Sequence, residues 1–292
     1  MASSSSIKTF SHHTRSISLP SRSHPLTLQV EEQLLRLRSS ELATTSSSSI
    51  CHNLACLQDL YKSVDDLIQL PLTQQFLSSQ THEKHVDRVL DGSLKLLDVC
   101  ENSRETFSQI KQSVQDLQSS LRRRGVVSDV ANEVCAYMTS RKKGSKMIQK
   151  CVADMKKLDS KPVPLNNEDI ITTLSEVQTI TLAVFESLLS SVSNSKVGSK
   201  QSNWHLVSKL NLKRTKSVVC SEQCQDTSEF AKADAVLKTL KGQKSFNVAN
   251  LQKVQKPLEA VEMRIQGLEE ELECLFRCMI KARVSLLNIL NR

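Results

Sequence analysis

The sequence predicts an all-α protein, an elongated helical bundle with a long coiled-coil-like helix at its C-terminus and a disordered N-terminal tail. Apolar residues recur at helical spacing through most of the 292 residues, and turn residues are scarce, with six Gly and six Pro. The segment Leu251–Arg292 also carries an unbroken heptad pattern. Sandwiches and barrels need frequent turn residues, so this composition does not suit them.

The C-terminal helix is predicted from two interleaved apolar rows. One row holds Leu251, Leu258, Ile265, Leu272, Met279 and Leu286, and the other holds Val254, Val261, Leu268, Leu275, Ala282 and Ile289. Spacings of three and four place both rows on one helix face. Phe276, Ile280, Leu287 and Leu290 widen that face, which favours several neighbouring helices over a two-stranded seam. Pro257 predicts a helix start or a bend between Asn250 and Pro257.

Six earlier helices follow from the same periodicity. They are Leu28–Arg38, Ser49 to about Leu70, Glu83 to about Arg123, Ser128 to about Leu158, Glu168 to about Ser193, and Glu229–Lys241. Pro71 should end the second helix, because proline lacks the amide donor. Gly92 and Glu101–Ser103 predict a bend in the third, and Arg141–Gly144 predicts a solvated interruption of the fourth.

The domain plan is one helical domain, residues 28–292, behind a disordered Ser-rich basic tail, residues 1–27. A flexible basic linker is expected at about 195–227. Since no secretory signal or spanning apolar run is found, a cytoplasmic location is favoured. The acid-free start, which precedes the first acid at Glu31, is typical of a plastid transit peptide and gives plastid as the alternative.

The N-terminal tail contains a phosphorylation motif. Arg15 stands three residues before Ser18, which suits a basic-directed kinase, and Pro20 follows two residues later. This spacing matches phosphoserine motifs read by 14-3-3 proteins, which grip the phosphate with arginines. Serine-rich basic tails also produce such strings by chance.

The basic linker has two interpretations. Residues 195–217 carry Lys196, Lys200, Lys209, Lys213, Arg214 and Lys216 without an acid. A basic amphipathic helix there would contact an anionic membrane or a partner through Trp204, Lys209, Lys213 and Arg214. A tethered loop whose Trp204 packs on the bundle is the favoured alternative. Ser217 ends a second basic kinase pattern and is a second candidate phosphorylation site.

No catalytic, cofactor or metal motif is found, which predicts a non-enzymatic protein without a cofactor and without a nucleic-acid partner. Nine cysteines without a Cys-x-x-Cys pair are expected to be reduced thiols. Cys220, Cys224, Cys274 and Cys278 have i, i+4 spacings, which disfavour a zinc knuckle. An enzyme site assembled from distant helices stays open as an alternative.

Four stretches of the chain resemble the plant-specific Bypass-related family. They are His13–Pro25, Val30–Ser39, Trp204–Leu210 and Leu268–Asn291. The resemblance implies a helical plant protein linked to root and shoot development, without known catalysis, cofactor or functional residues. We therefore expect a regulatory or adaptor protein that acts through protein–protein contacts, with a membrane-surface protein and an unrecognised enzyme as alternatives. The oligomeric state is left open by the sequence.

Overall fold

The structure is a computed structural model that describes residues 24–43, 47–123, 127–157, 170–193, 228–240 and 248–291. Every regular element in these ranges is an α-helix, so the all-α class with a long C-terminal helix is confirmed. The helices are α1 (Pro25–Ala43), α2 (Ser47–Ile68), α3 (Pro71–Leu77), α4 (Glu83–Arg122), α5 (Val127–Lys156), α6 (Ile170–Ser193), α7 (Glu229–Leu240) and α8 (Val248–Leu290).

Helix α8 runs through the core of the bundle. Its two heptad rows are buried at every position from Val254 to Ile289, while the side chain of Leu251 is outside the described part. Helices α2, α3, α4 and α7 pack against α8, which confirms a bundle with several neighbours. Three of the residues predicted to widen the apolar face do pack on the core, but Ile280 is 39% exposed, so the prediction is wrong at this position.

Helix α8 starts at Val248, slightly before the predicted region, and Pro257 lies inside the helix.

The first helix differs from its predicted bounds, and a short helix follows Pro71 that was not predicted. Helix α1 begins at Pro25, because proline at the first helical position lacks an amide that would be unpaired there anyway. Leu35 of this helix is 60% exposed. Pro71 follows the end of α2 as predicted, but it also starts α3, a short helix that the periodicity did not indicate.

Helix α4 continues without a break past Gly92 and Glu101–Ser103. Gly92 leaves room for the amide of Gln178 on α6, which donates a hydrogen bond to the Val89 carbonyl at 2.6 Å. The hydroxyl of Ser103 donates to the Val99 carbonyl at 2.7 Å. These features serve close packing and internal hydrogen bonds, and the helix needs no interruption to accommodate them.

Helix α5 is continuous through residues 141–144, so the predicted solvated interruption is wrong. Lys142 and Lys143 are exposed, but Arg141 is only 6% exposed and Gly144 is buried. A side chain at Gly144 would press on Ile110 of α4, so glycine permits the close approach of the two helices.

The remaining contacts arrange the helices around α4 and α8. Helix α1 packs on α2 and α6, α2 packs on α6 and α8, and α4 packs on α5, α6 and α8. Phe107, Phe185 and Tyr137 are the largest fully buried side chains of the described core.

Candidate partner-binding face

Helices α4 and α8 lie side by side and run in opposite directions, as their polar contacts show. From one end to the other, Arg283 contacts Ser93, Arg104 contacts Glu273, Lys111 contacts Glu269, and Gln115 contacts Glu262. The residue numbers fall along α8 as they rise along α4. This ladder fixes the register of the two helices and therefore which side chains share a level on their outer surface.

Two arginines of this series make several contacts each. The Arg104 guanidinium pairs with Glu101 at 2.8 Å and with Glu273, and it lies 5.5 Å from the centre of the Phe276 ring. At the end of the series, Arg283 donates to the Leu90 carbonyl and, at 2.7 Å, to the Ser93 hydroxyl. Planar guanidinium groups that bridge two helices in this way hold the outer surface in one arrangement.

The outward side of α4 is strongly acidic. Its exposed acids are Glu83, Asp87, Asp91, Asp98, Glu101 and Glu105. Spacings of three and four place these residues within about 80° of helix arc, and no Lys or Arg falls in the same arc. In the described part of the chain, Asp87, Asp91 and Asp98 have no ion-pair partner. Like charges one turn apart repel, so Asp87, Asp91 and Asp98 do not help α4 to fold.

Apolar side chains interrupt this charged surface. Leu94 is 47% exposed in the middle of the acidic stripe. On α8, Ile280 is 39% and Val284 is 46% exposed, and the Arg283–Ser93 contact places them at the level of Leu94. We call the acidic stripe together with Leu94, Ile280 and Val284 the α4–α8 face. Exposed apolar groups surrounded by charge are the composition of a protein-binding surface.

The opposite seam, between α2 and α8, uses its polar groups internally. The Asp65 carboxylate, 3% exposed, accepts from the Ser285 hydroxyl at 2.6 Å and pairs with Lys281 at 3.0 Å. Gln69 donates to the same hydroxyl at 2.9 Å. The hydrogen bond that Lys281 donates to the Asp65 carboxylate raises the pKa of Lys281. Because each of these groups is paired within the bundle, the seam sets helix register and offers little to a ligand.

A second internal site joins α5, α6 and α7. Arg141 donates to the Val192 carbonyl at 2.9 Å, lies 3.6 Å from Asp234 and covers the Phe230 ring at 4.7 Å. The hydroxyl of Tyr137 donates to Asp234 at 3.0 Å. Burial, followed by the negative charge of Asp234, raises the pKa of Tyr137. Arg141 thus donates a hydrogen bond to a carbonyl in the last turn of α6 and holds α7 through Asp234 and Phe230. We therefore assign this site a structural role.

The open cleft between α1 and α2 tests the enzyme alternative. It measures about 440 Å³ and is lined by residues that include Glu32, Arg36, His52 and Cys56. The Cys56 sulfur lies 3.5 Å from His52 Nε2. Burial, reinforced by Asp59, raises the pKa of Cys56 against the opposing effect of Arg36. A nucleophilic cysteine needs a lowered pKa, so this pair does not have the electrostatics of an activated thiol.

No metal centre is found in the described ranges, where no three His, Cys, Asp or Glu side chains are grouped to hold an ion. Cys274 is exposed and Cys278 half-buried, while Cys220 and Cys224 are outside these ranges. None of the described helices has the length and apolar character needed to cross a bilayer.

The site residues predicted from the sequence all lie outside the described residues and stay predictions. They are Arg15, Ser18, Pro20, Trp204, Lys209, Lys213, Arg214 and Ser217. Sequence reasoning missed the α4–α8 face, although the three-and-four spacing of the acids between Glu83 and Glu105 was available as a signal. It also missed Arg141, because a basic run at Arg141–Lys143 usually indicates a solvated surface.

Comparison with known proteins gives one family assignment. No curated protein matches the chain. No solved structure matches it either. The family model described as Protein BPS1 matches residues 53–289, which include α4, α8 and the helices between them. The chain therefore belongs to the Protein BPS1 family, in agreement with the resemblance drawn from its sequence.

Proposed function

We propose that this plant protein is a non-enzymatic helical adaptor that acts through protein–protein contacts at the α4–α8 face. The observation that carries the proposal is the exposure of Leu94, Ile280 and Val284 beside the acidic stripe of α4. Three acids of that stripe, Asp87, Asp91 and Asp98, have no ion-pair partner among the described residues. Interfaces draw their affinity from a few apolar anchors, and the surrounding charges supply specificity and association rate.

The cellular role that we assign to this contact is a regulatory one in root and shoot development. Its support is the family resemblance, and the partner is a protein that carries complementary basic and apolar groups. The place of action that the proposal assumes is the cytoplasm, where a protein with reduced thiols is stable.

Proximity labelling in root cells tests the adaptor function. The variant Leu94→Gln/Ile280→Gln/Val284→Gln replaces the apolar anchors by polar residues with good helix propensity. The matched control, Leu35→Gln/Leu72→Gln/Met263→Gln, changes exposed apolar residues of α1, α3 and α8 that lie outside the face. We expect the face variant to lose a set of labelled proteins that the wild type and the control retain.

One result of this labelling experiment would contradict the proposal. If all three chains label the same proteins while the circular dichroism spectra show intact helices, the α4–α8 face does not recruit partners. The adaptor proposal would then lose the observation that carries it.

We further propose that phosphorylation of Ser18 in the N-terminal tail regulates the adaptor by recruiting a 14-3-3 protein. Phosphorylation of Ser18 adds a charge of about −1.5 to −2, which the arginines of a 14-3-3 protein can grip. A phosphopeptide of residues 11–24 should bind a 14-3-3 protein, and the unphosphorylated peptide should not. Pro20→Ala should weaken this binding less than Ser18→Ala, since the phosphate supplies the affinity. Equal binding of both peptides would reject the switch.

The membrane alternative rests on the cations that surround Trp204 in residues 195–217. Flotation with anionic and with neutral liposomes tests it, because electrostatic attachment requires anionic lipid and disappears at high salt. Absence of the protein from both liposome fractions would remove this alternative.

A further inference from the structure

The charge of the α4–α8 face is opposite to that of the whole chain. The chain has a formal net charge of +8, yet its α4 stripe exposes acids at six positions without a cation in the same arc. The chain itself contains a basic segment whose charge is complementary to this stripe. Residues 195–217 contain six Lys or Arg residues and no acid, together with Trp204, which is the single tryptophan of the protein.

We infer that the α4–α8 face binds the chain's own basic segment, residues 195–217, with Trp204 against Leu94, Ile280 and Val284 and the lysines against the acidic stripe. The inference rests on the proposed function in that it assigns an occupant to the same face. Charge complementarity selects this occupant, because a basic segment removes the mutual repulsion of Asp87, Asp91 and Asp98. A tryptophan offers the large apolar surface that three exposed aliphatic side chains can cover.

The chain length permits this contact. The segment lies between Ser193, the last residue of α6, and Glu229, the first residue of α7. Helix α6 packs on α4, and α7 packs on α8, so both attachment points belong to neighbours of the face. The intervening residues can span roughly 110 Å when extended, and α4 itself is about 60 Å long. A tethered segment also has an effective concentration in the millimolar range, so a weak contact suffices for occupancy.

Trp204 fluorescence in the full chain tests the inference, since no other tryptophan contributes to the signal. The test variant is Asp87→Lys/Asp91→Lys/Asp98→Lys, and the matched control is Glu31→Lys/Asp66→Lys/Glu270→Lys, which reverses three exposed acids on α1, α2 and α8. We expect blue-shifted emission and protection from acrylamide in the wild type and the control. The test variant should show the emission and quenching of a free peptide of residues 195–217. High salt should have the same effect on the wild type as the three reversals.

Three outcomes would overturn the inference. The first is wild-type emission that equals that of the free peptide. The second is protected emission that survives the three reversals, which would place Trp204 elsewhere on the bundle. The third is an equal change in both variants. If any of these occurs while the glutamine variant of the face still loses its labelled partners, the adaptor proposal stands and self-binding alone is wrong. Trp204 that responds only to anionic vesicles, equally in all chains, would assign the segment to the membrane.

Discussion

The two sides of α4 are made of different residues and have different roles. The inner side contributes buried apolar residues such as Phe107, Val114 and Leu117, which pack against the surrounding helices. The outer side contributes exposed acids that repel one another, and among the described residues Asp87, Asp91 and Asp98 have no ion-pair partner. The comparison supports the proposal that the fold depends on the inner side while the outer side serves recognition, as expected where function is retained at some expense in stability.

The largest effect is expected from a charge placed in the core. Leu272 of α8 is fully buried, so Leu272→Asp would bury a carboxylate without a partner and lower the free energy of unfolding by roughly 3–5 kcal/mol. Ile280→Asp, on the exposed side of the same helix, is the matched control and should change it by about 0.5 kcal/mol. Thermal melting followed by circular dichroism measures both. Equal melting temperatures for the two variants would contradict the core position of α8.

A smaller loss is expected at the buried cation of α5. Arg141→Leu removes the donor to the Val192 carbonyl and the cation beside Asp234, which should lower the free energy of unfolding by about 3 kcal/mol. The exposed neighbour Lys142→Leu is the control. Because an apolar pair can replace a buried ion pair, Arg141→Leu/Asp234→Leu should recover part of the loss in urea unfolding. A double variant that is less stable than the sum of the single changes would argue against this pairing.

The smallest stability effect that we predict depends on pH. Burial raises the pKa of Glu41 despite the hydrogen bonds from Ser187 and Asn53, so the folded chain holds this proton at a pH where the unfolded chain has lost it. The free energy of unfolding should therefore fall as the pH rises from the ordinary pKa of glutamate to the raised value. Urea unfolding between about pH 4 and about pH 7 measures this dependence. In the Glu41→Gln variant, the decrease of the free energy of unfolding with pH that is due to Glu41 should be absent. An unchanged slope would show that Glu41 titrates normally in the folded chain.

The sequence was sufficient to predict those helices whose apolar periodicity determines which side is buried. The heptad rows from Val254 to Ile289 predicted the buried side of α8, because an unbroken row leaves only one face to bury. It was insufficient where the outcome depends on a neighbouring helix. Arg141 is turned inward by a carbonyl of α6 and an acid of α7, and neither is visible from its own stretch of sequence. The α4–α8 face also requires knowing that Ser93 and Arg283 share a level.

The separation of folding from recognition on α4 is the central claim, and urea unfolding of Asp87→Lys/Asp91→Lys/Asp98→Lys tests it most directly. If the outer acids serve recognition, their reversal removes repulsion within the stripe. It should leave the free energy of unfolding within about 0.5 kcal/mol of wild type, or raise it slightly. The same variant should lose the protection of Trp204. A loss of more than about 2 kcal/mol would show that the acidic stripe is needed for folding, and would contradict the account.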